Sequence, residues 1–130
     1  MPISSKPKTK KNRRILVVED ERPLAHALKL KLSNHGLDVT IASDGNEGLK
    51  AALSGGYDLI LLDLILPGID GFAILEQIHS KKSKTPIVVL SNLGQPEDQQ
   101  RAKELGAVQY CVKANTPLSV IIDLILSILR

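Results

Sequence analysis

Residues 57–72, YDLILLDLILPGIDGF, constrain the fold more than any other stretch. Leu59 to Leu62 is a short apolar run bounded by polar residues and glycine. Such a run reads as a strand buried on both faces, the kind found in a parallel sheet. It ends in Asp63, which places a carboxylate at the carboxyl end of a central strand. Ligand chemistry in open α/β sheets gathers at that edge. Pro67-Gly68 and Asp70-Gly71 then supply turn residues before a new helical pattern begins.

The same kind of run recurs at Ile15–Val18 and Ile87–Leu90, and short strands are expected at Val39–Ala42 and Val108–Val112. Amphipathic stretches separate them. Leu24, Ala25, Leu28 and Leu32 mark a first helix with Pro23 in its opening turn and Gly36 as a left-handed stop. Gly48, Leu49, Ala52 and Leu53 mark a second, and Phe72, Ile74, Leu75 and Ile78 a third. Pro96-Glu97-Asp98 opens a polar fourth, its acids suited to the positive end of the helix dipole. Thr116-Pro117 predicts an N-cap and a first-turn proline for a fifth that runs to Arg130. Five strands alternating with five helices mean an α/β fold, a parallel sheet covered on both faces with right-handed crossovers. A chain of 130 residues fits one such domain.

Composition removes several function classes. The aromatics are Tyr57, Phe72 and Tyr110, too few for base-stacking recognition of single strands. The single cysteine, Cys111, allows neither an internal disulfide nor a cysteine-cage zinc site, and reads as a small buried hydrophobe. His26, His35 and His79 have no ligand spacing and read as surface residues. No run is long or apolar enough to span a bilayer, so a cytoplasmic protein is expected. The net charge of +3 is misleading, because six of the 17 basic residues lie within the first 14 positions and no acid does. The rest of the chain is net acidic. Residues 1–13 are expected to form a mobile basic tail, and any nucleic-acid contact would be confined to it.

The residues that end the apolar runs carry the chemistry. The first run delivers Glu19 and Asp20, the third Asp63, the fourth Ser91 and the fifth Lys113. In a parallel sheet all of these meet on one edge. Three crowded carboxylates repel unless one takes a proton or a cation joins them. A hard divalent ion suits them, and Mg²⁺ prefers few carboxylates, several waters and a phosphate oxygen. A lysine and a hydroxyl opposite supply a point charge and a donor for a phosphoryl group. The deduced chemistry is phosphoryl transfer to a carboxylate.

Those stretches, ILVVEDE at Ile15–Glu21, YDLILLDLILPGIDGF, VVLS ending at Ser91 and ELGAVQYCVK ending at Lys113, together resemble the receiver domain of bacterial two-component response regulators. The resemblance covers nearly everything from Arg14 onward. It implies a flavodoxin-like three-layer fold over residues 14–130, with strand order 2-1-3-4-5. It implies Asp63 as phosphoacceptor, fed by a histidine kinase or phosphotransfer protein. Glu19, Asp20, Asp63 and the backbone carbonyl of Ile65 would hold Mg²⁺. Ser91 would be the switch hydroxyl, Lys113 the partner of the phosphoryl group, and Tyr110 the aromatic that moves with Ser91. It implies a switch, not an enzyme, that assists only its own phosphorylation and dephosphorylation. The chain stops at Arg130, so a single-domain regulator is expected, signalling to a further protein by contact. A phosphorylation-independent pseudo-receiver is the alternative. A flavin-binding flavodoxin fits poorly, since Glu19-Asp20-Glu21 would repel its phosphate. A haloacid-dehalogenase-type phosphatase needs an aspartate where this chain has Ile65.

Two positions depart from the family pattern. Ala114 follows the lysine where the family usually has proline on a cis peptide. A cis bond to a non-proline residue costs about 2.5–4 kcal/mol, so a trans bond and a repositioned Lys113 loop are expected. Asn92, bulkier than the usual Ala or Gly after the switch hydroxyl, is expected to narrow phosphodonor access. Ile65 and Leu93, two residues beyond Asp63 and Ser91, offer an attacking water no polar partner and predict slow loss of the phosphoryl group. Finally, Val120, Leu124 and Leu126 widen the apolar stripe of the last helix beyond what covering a sheet requires, which predicts a homodimer through that helix. Light scattering is expected to show a dimer for the wild-type chain and a monomer for Leu124→Lys.

Overall fold

The computed structural model describes residues 12–130, so the expectation for the basic tail lies largely outside the described residues. The strands are β1 (Arg14–Val18), β2 (Asp38–Ala42), β3 (Leu59–Leu62), β4 (Ile87–Ser91) and β5 (Gln109–Val112). The helices are α1 (Arg22–Asn34), α2 (Gly45–Ser54), α3 (Gly71–Ser80), α4 (Pro96–Glu104) and α5 (Leu118–Leu129). All strand pairs are parallel and the sheet order is β2-β1-β3-β4-β5. A short 3-10 turn, Lys113–Asn115, joins β5 to α5.

Strand periodicity of two divides the core in half. Ile15, Val17, Leu59, Leu61, Val88 and Leu90 face α1 and α5, where they pack with Leu28, Leu32, Ile121 and Ile125. Leu16, Val18, Ile60, Leu62, Ile87 and Val89 face the other way, toward Ile74, Leu75 and Ile78 of α3 and Ala102 of α4. Both faces of β1, β3 and β4 are therefore dry, which is why those runs are continuously apolar. Each fully buried Leu or Ile contributes on the order of 1.5–3 kcal/mol relative to exposure. The polar helix α4 buries only Ala102, and Arg101 lies over the Phe72 ring at 4.2 Å, joining it to α3.

The helix boundaries follow local chemistry, with one exception. Gly36 has φ +82° just after α1, as its stop signal predicts. Asp44 accepts from the Glu47 N–H and Asp70 from the Phe72 N–H, each at 2.8 Å, capping α2 and α3. The cap expected at Thr116 is not made. Its hydroxyl donates to the Val112 carbonyl at 2.8 Å, Pro117 is the capping residue, and α5 starts at Leu118. The carbonyl of the last β5 residue outcompetes the helix N–H groups for this hydroxyl. Cys111 is buried and the three histidines are exposed, both as expected.

The wide stripe of α5 is mostly absorbed by the fold. Leu118, Leu124, Leu126 and Ile128 are half-buried against the core, and Val120 is left 50% exposed. Leu124→Lys would therefore damage packing, and Val120→Lys is the cleaner variant for the light-scattering test.

Gly71 ties α3 to the end of the central strand. Its N–H donates to the Leu64 carbonyl at 3.0 Å, and a Cβ there would lie 2.4 Å from Leu64 Cα and 2.7 Å from the Asp63 carbonyl oxygen. These neighbours are backbone atoms that cannot rotate away. Gly71→Ala is expected to destabilise the fold by roughly 1–3 kcal/mol, the usual cost of overpacking, measured by urea denaturation. It should also shift the backbone resonances of Asp63–Ile65 more than those of β2.

Candidate functional site

The site is assembled by sheet register. Val18 pairs with Leu62, so the next residues, Glu19 and Asp63, emerge side by side from neighbouring strands. Backbone bonds hold both: the Glu19 N–H donates to Ala42 and the Asp63 N–H to Val18, each at 3.0 Å. On the other side Ser91 pairs with Val112, which puts Lys113 one residue beyond the end of β5. The carboxyl edge thus gathers residues nearly a hundred positions apart in the chain.

Glu19 and Asp63 are buried, at 2% and 4% exposure, while Asp20 is exposed. Carboxylate oxygens of all three lie within 4.8 Å of one another, a donor set of hard oxygens that fits a divalent cation such as Mg²⁺. Lys113 Nζ reaches Asp63 Oδ2 at 2.7 Å, Glu19 Oε1 at 2.9 Å and Glu21 Oε2 at 3.0 Å. An ammonium has three donors, and here each finds an acid. Ile65 donates its N–H to Asp63 Oδ1 at 3.0 Å, so the backbone of the following loop is folded onto the carboxylate. Its side chain points outward enough to be 53% exposed.

Burial pushes the Glu19 carboxyl above its usual range. The Glu21 backbone N–H and the Lys113 ammonium pull it down without cancelling that effect, and the Asp63 charge adds to the rise. For Lys113, burial alone would favour the neutral amine, but its hydrogen bonds to Asp63, Glu19 and Glu21 outweigh it and raise the pKa above the ordinary lysine value. The lysine is a fixed positive charge at neutral pH.

Ser91 is fully buried at the end of β4, and its Oγ accepts from the Leu93 N–H at 3.4 Å, a long contact. Tyr110, half-buried on edge strand β5, donates its hydroxyl to the Leu93 carbonyl. Burial, with the charges of Asp98 and Asp63, pushes its phenol up to about 12. The Lys113–Ala114 peptide is trans, as no cis peptide occurs among the described residues. The lysine nevertheless keeps its place at Asp63, so the expected displacement of its loop does not remove it from the site. Asn92 is exposed, and its Oδ1 accepts from the Ala114 N–H at 3.2 Å.

Glu21 is the residue that sequence reading missed. It is the N-cap residue of α1, and the EDE triplet carries no signal for which of its acids turns toward β5. Only the position of Lys113 shows that Glu21 closes the ion-pair cluster.

The comparison with known proteins agrees with this geometry. Residues 15–124 match the response regulator receiver domain model, and the chain belongs to that family. It is similar to the response regulator ArlR of Staphylococcus saprophyticus, 44% identical over 100 residues, 77% of this chain and 45% of that protein. It is also similar to the alkaline phosphatase synthesis transcriptional regulatory protein PhoP of Bacillus subtilis, 39% identical over 109 residues, 84% of this chain and 45% of that protein. The chain therefore spans less than half the length of the curated relatives it matches. Among solved structures it resembles the Thermotoga maritima response regulator TrrA in complex with Mg²⁺-BeF, with 31% identity and a TM-score of 0.77, covering 89% of this chain and 98% of that one. The fold is the flavodoxin-like one of the CheY-like receivers.

Removing Lys113 leaves buried acids without their counter-charge. Lys113→Met is expected to cost ~1–3 kcal/mol at neutral pH, less than the ~3–5 kcal/mol of a fully enclosed pair because the site opens to solvent. Adding Asp63→Asn should recover part of that loss. Since Lys113 holds its proton more tightly when folded, its contribution is complete below the ordinary lysine pKa of about 10.4 and is lost as pH rises through the higher folded value. Urea denaturation at neutral and strongly alkaline pH reads both effects.

Proposed function

We propose that this receiver domain is a phosphorylation-controlled switch with Asp63 as the acceptor. The observation that carries this reading is the charge arrangement at one carboxylate: Lys113 Nζ 2.7 Å from Asp63 Oδ2, with Glu19 and Asp20 oxygens within 4.8 Å. An Asp63 oxygen attacks the phosphorus of a phosphohistidine on a histidine kinase or phosphotransfer protein. The new O–P bond replaces the N–P bond, and the imidazole leaves and takes up a proton. Glu19, Asp20, Asp63 and the Ile65 carbonyl would hold Mg²⁺, which when bound neutralises charge on the phosphoryl oxygens. Lys113 stays paired with the group after transfer, exchanging part of its acid contacts for a phosphoryl oxygen. The Mg²⁺-BeF complex named for the similar TrrA supports this assignment.

Ser91 is the hydroxyl that turns to the phosphoryl group, because its hold on Leu93 is long and readily given up. Tyr110 follows through its bond to the Leu93 carbonyl, which carries the change to the β5 surface. The domain is not an enzyme toward other substrates. Its output is contact with a downstream protein in the cytoplasm. PhoP is named as a transcriptional regulatory protein and the match covers 45% of its length, which favours gene expression as the process controlled. Association of two copies would use the α5 side, where Val120 is exposed. Among the described residues no helix is long and apolar enough to cross a membrane.

The decisive experiment is incubation with Mg²⁺ and a small acyl phosphate, followed by intact mass. The wild-type chain is expected to gain one phosphoryl group and Asp63→Asn none. No gain in either would leave the pseudo-receiver reading in its place. With apolar Ile65 and Leu93 flanking the site, the phosphorylated form is expected to persist for minutes or longer in Mg²⁺ buffer, against polar substitutions at either position that shorten it.

A further inference from the structure

The two positions at which this chain departs from the family pattern are bonded to each other. Asn92 Oδ1 accepts from the Ala114 N–H at 3.2 Å, and a proline at 114 would have no N–H to give. The bond sits where backbone support stops. The β4–β5 ladder runs through Val88–Gln109, Val89–Tyr110 and Leu90–Cys111 and ends at Ser91–Val112. Beyond it the chain enters the 3-10 turn Lys113–Asn115, whose closing bond from the Thr116 N–H to the Lys113 carbonyl is long, at 3.4 Å. The Thr116 hydroxyl, bonded to Val112, steadies the turn from the α5 side. Asn92 steadies it from β4 and so continues the ladder one step with a side chain.

We propose that Asn92 is a positioning residue for Lys113. Its carboxamide oxygen holds the peptide that follows the lysine and sets the backbone from which Nζ reaches Asp63. A trans alanine thus suffices at 114. The proposal rests on the reading of Asp63 as phosphoacceptor. It assigns Asn92 a different role from the steric one its size suggests: the side chain is turned onto the neighbouring loop and anchors the lysine, and it acts through that backbone and not on the phosphoryl group. A lysine side chain has four rotatable methylenes, so the placement of its ammonium depends on where its backbone is held.

Three variants of the full chain separate the bond from the bulk. Asn92→Ala removes both, Asn92→Leu keeps the bulk without the acceptor, and Asn92→Asp keeps the oxygen. Hydrogen exchange at the Ala114 amide is expected to be about fivefold faster in the Ala and Leu variants, the factor that loss of one exposed hydrogen bond gives, and to stay near wild type in Asn92→Asp. With a small acyl phosphate and Mg²⁺, the Ala and Leu variants should both show a lower maximal rate of acyl phosphate formation at Asp63. The donor concentration for half-maximal rate should change little. Unchanged Ala114 exchange in both variants would overturn the proposal. So would a faster reaction in Asn92→Ala together with wild-type behaviour in Asn92→Leu, which is the signature of a steric gate. If the wild-type chain itself accepts no phosphoryl group, the functional reading falls, and the exchange measurement still decides whether Asn92 holds the Lys113 loop.

Discussion

The contact between Lys113 and the acids of the carboxyl edge is the interaction on which the rest of the site depends. Glu19 and Asp63 are both buried, and two carboxylates so close in a partly dry environment would otherwise force one to take a proton or the edge to open. A single ammonium with three acid partners holds them together. The same arrangement suits a reaction that brings in further negative charge. A phosphoryl group meets a cation already in place, and a divalent ion can take over the carboxylates that the lysine gives up. Structural tension and chemical readiness are one property here. This is why the most buried charges among the described residues lie together at the candidate site.

That edge exists because the sheet is parallel and its strands β1, β3 and β4 are dry on both faces. Register, through Val18–Leu62 and Ser91–Val112, carries Glu19, Asp63 and Lys113 to the same level. The two packed faces hold the strands rigid behind them. Gly71 presses α3 against Leu64 and Asp63 so closely that no side chain fits, which anchors the strand end from the opposite side. The contacts most open to exchange lie in the loops that follow β4 and β5. There the contacts are a long Ser91–Leu93 bond, the Tyr110–Leu93 bond and the Asn92–Ala114 bond. Each is a single hydrogen bond between a side chain and the backbone, of a strength that a new ligand can replace.

Much of this was legible in the chain. The hydrophobic stretches mark all five strands to within a residue, most plainly β1, β3 and β4, which are buried on both faces, while the edge strands β2 and β5 keep exposed polar positions such as Thr40 and Gln109. The site residues could be found as the first polar positions after those runs. The signals that failed were those in which one polar group had several possible partners. Thr116 has the sequence of an N-cap, yet its hydroxyl takes the Val112 carbonyl. Glu21 is one of three adjacent acids, and nothing local distinguishes its orientation from that of Asp20. The apolar excess of α5 is a separate case, since Leu118, Leu124, Leu126 and Ile128 are half-buried on the core while Val120 is left exposed.

By itself the sequence determined the alternation of strands and helices, the two-sided burial of the sheet and the identity of the residues at its carboxyl edge. These follow from periodicity and from the cost of burying polar groups, which act over a few residues at a time. Tertiary structure decided which groups at that edge touch. It brought Glu21 into the lysine cluster, kept Lys113 at Asp63 despite a trans peptide, and bonded Asn92 to Ala114 across two loops. Such contacts depend on distances between elements that are far apart in the chain. They are set by how the strands align and where the loops turn, and no local pattern encodes either.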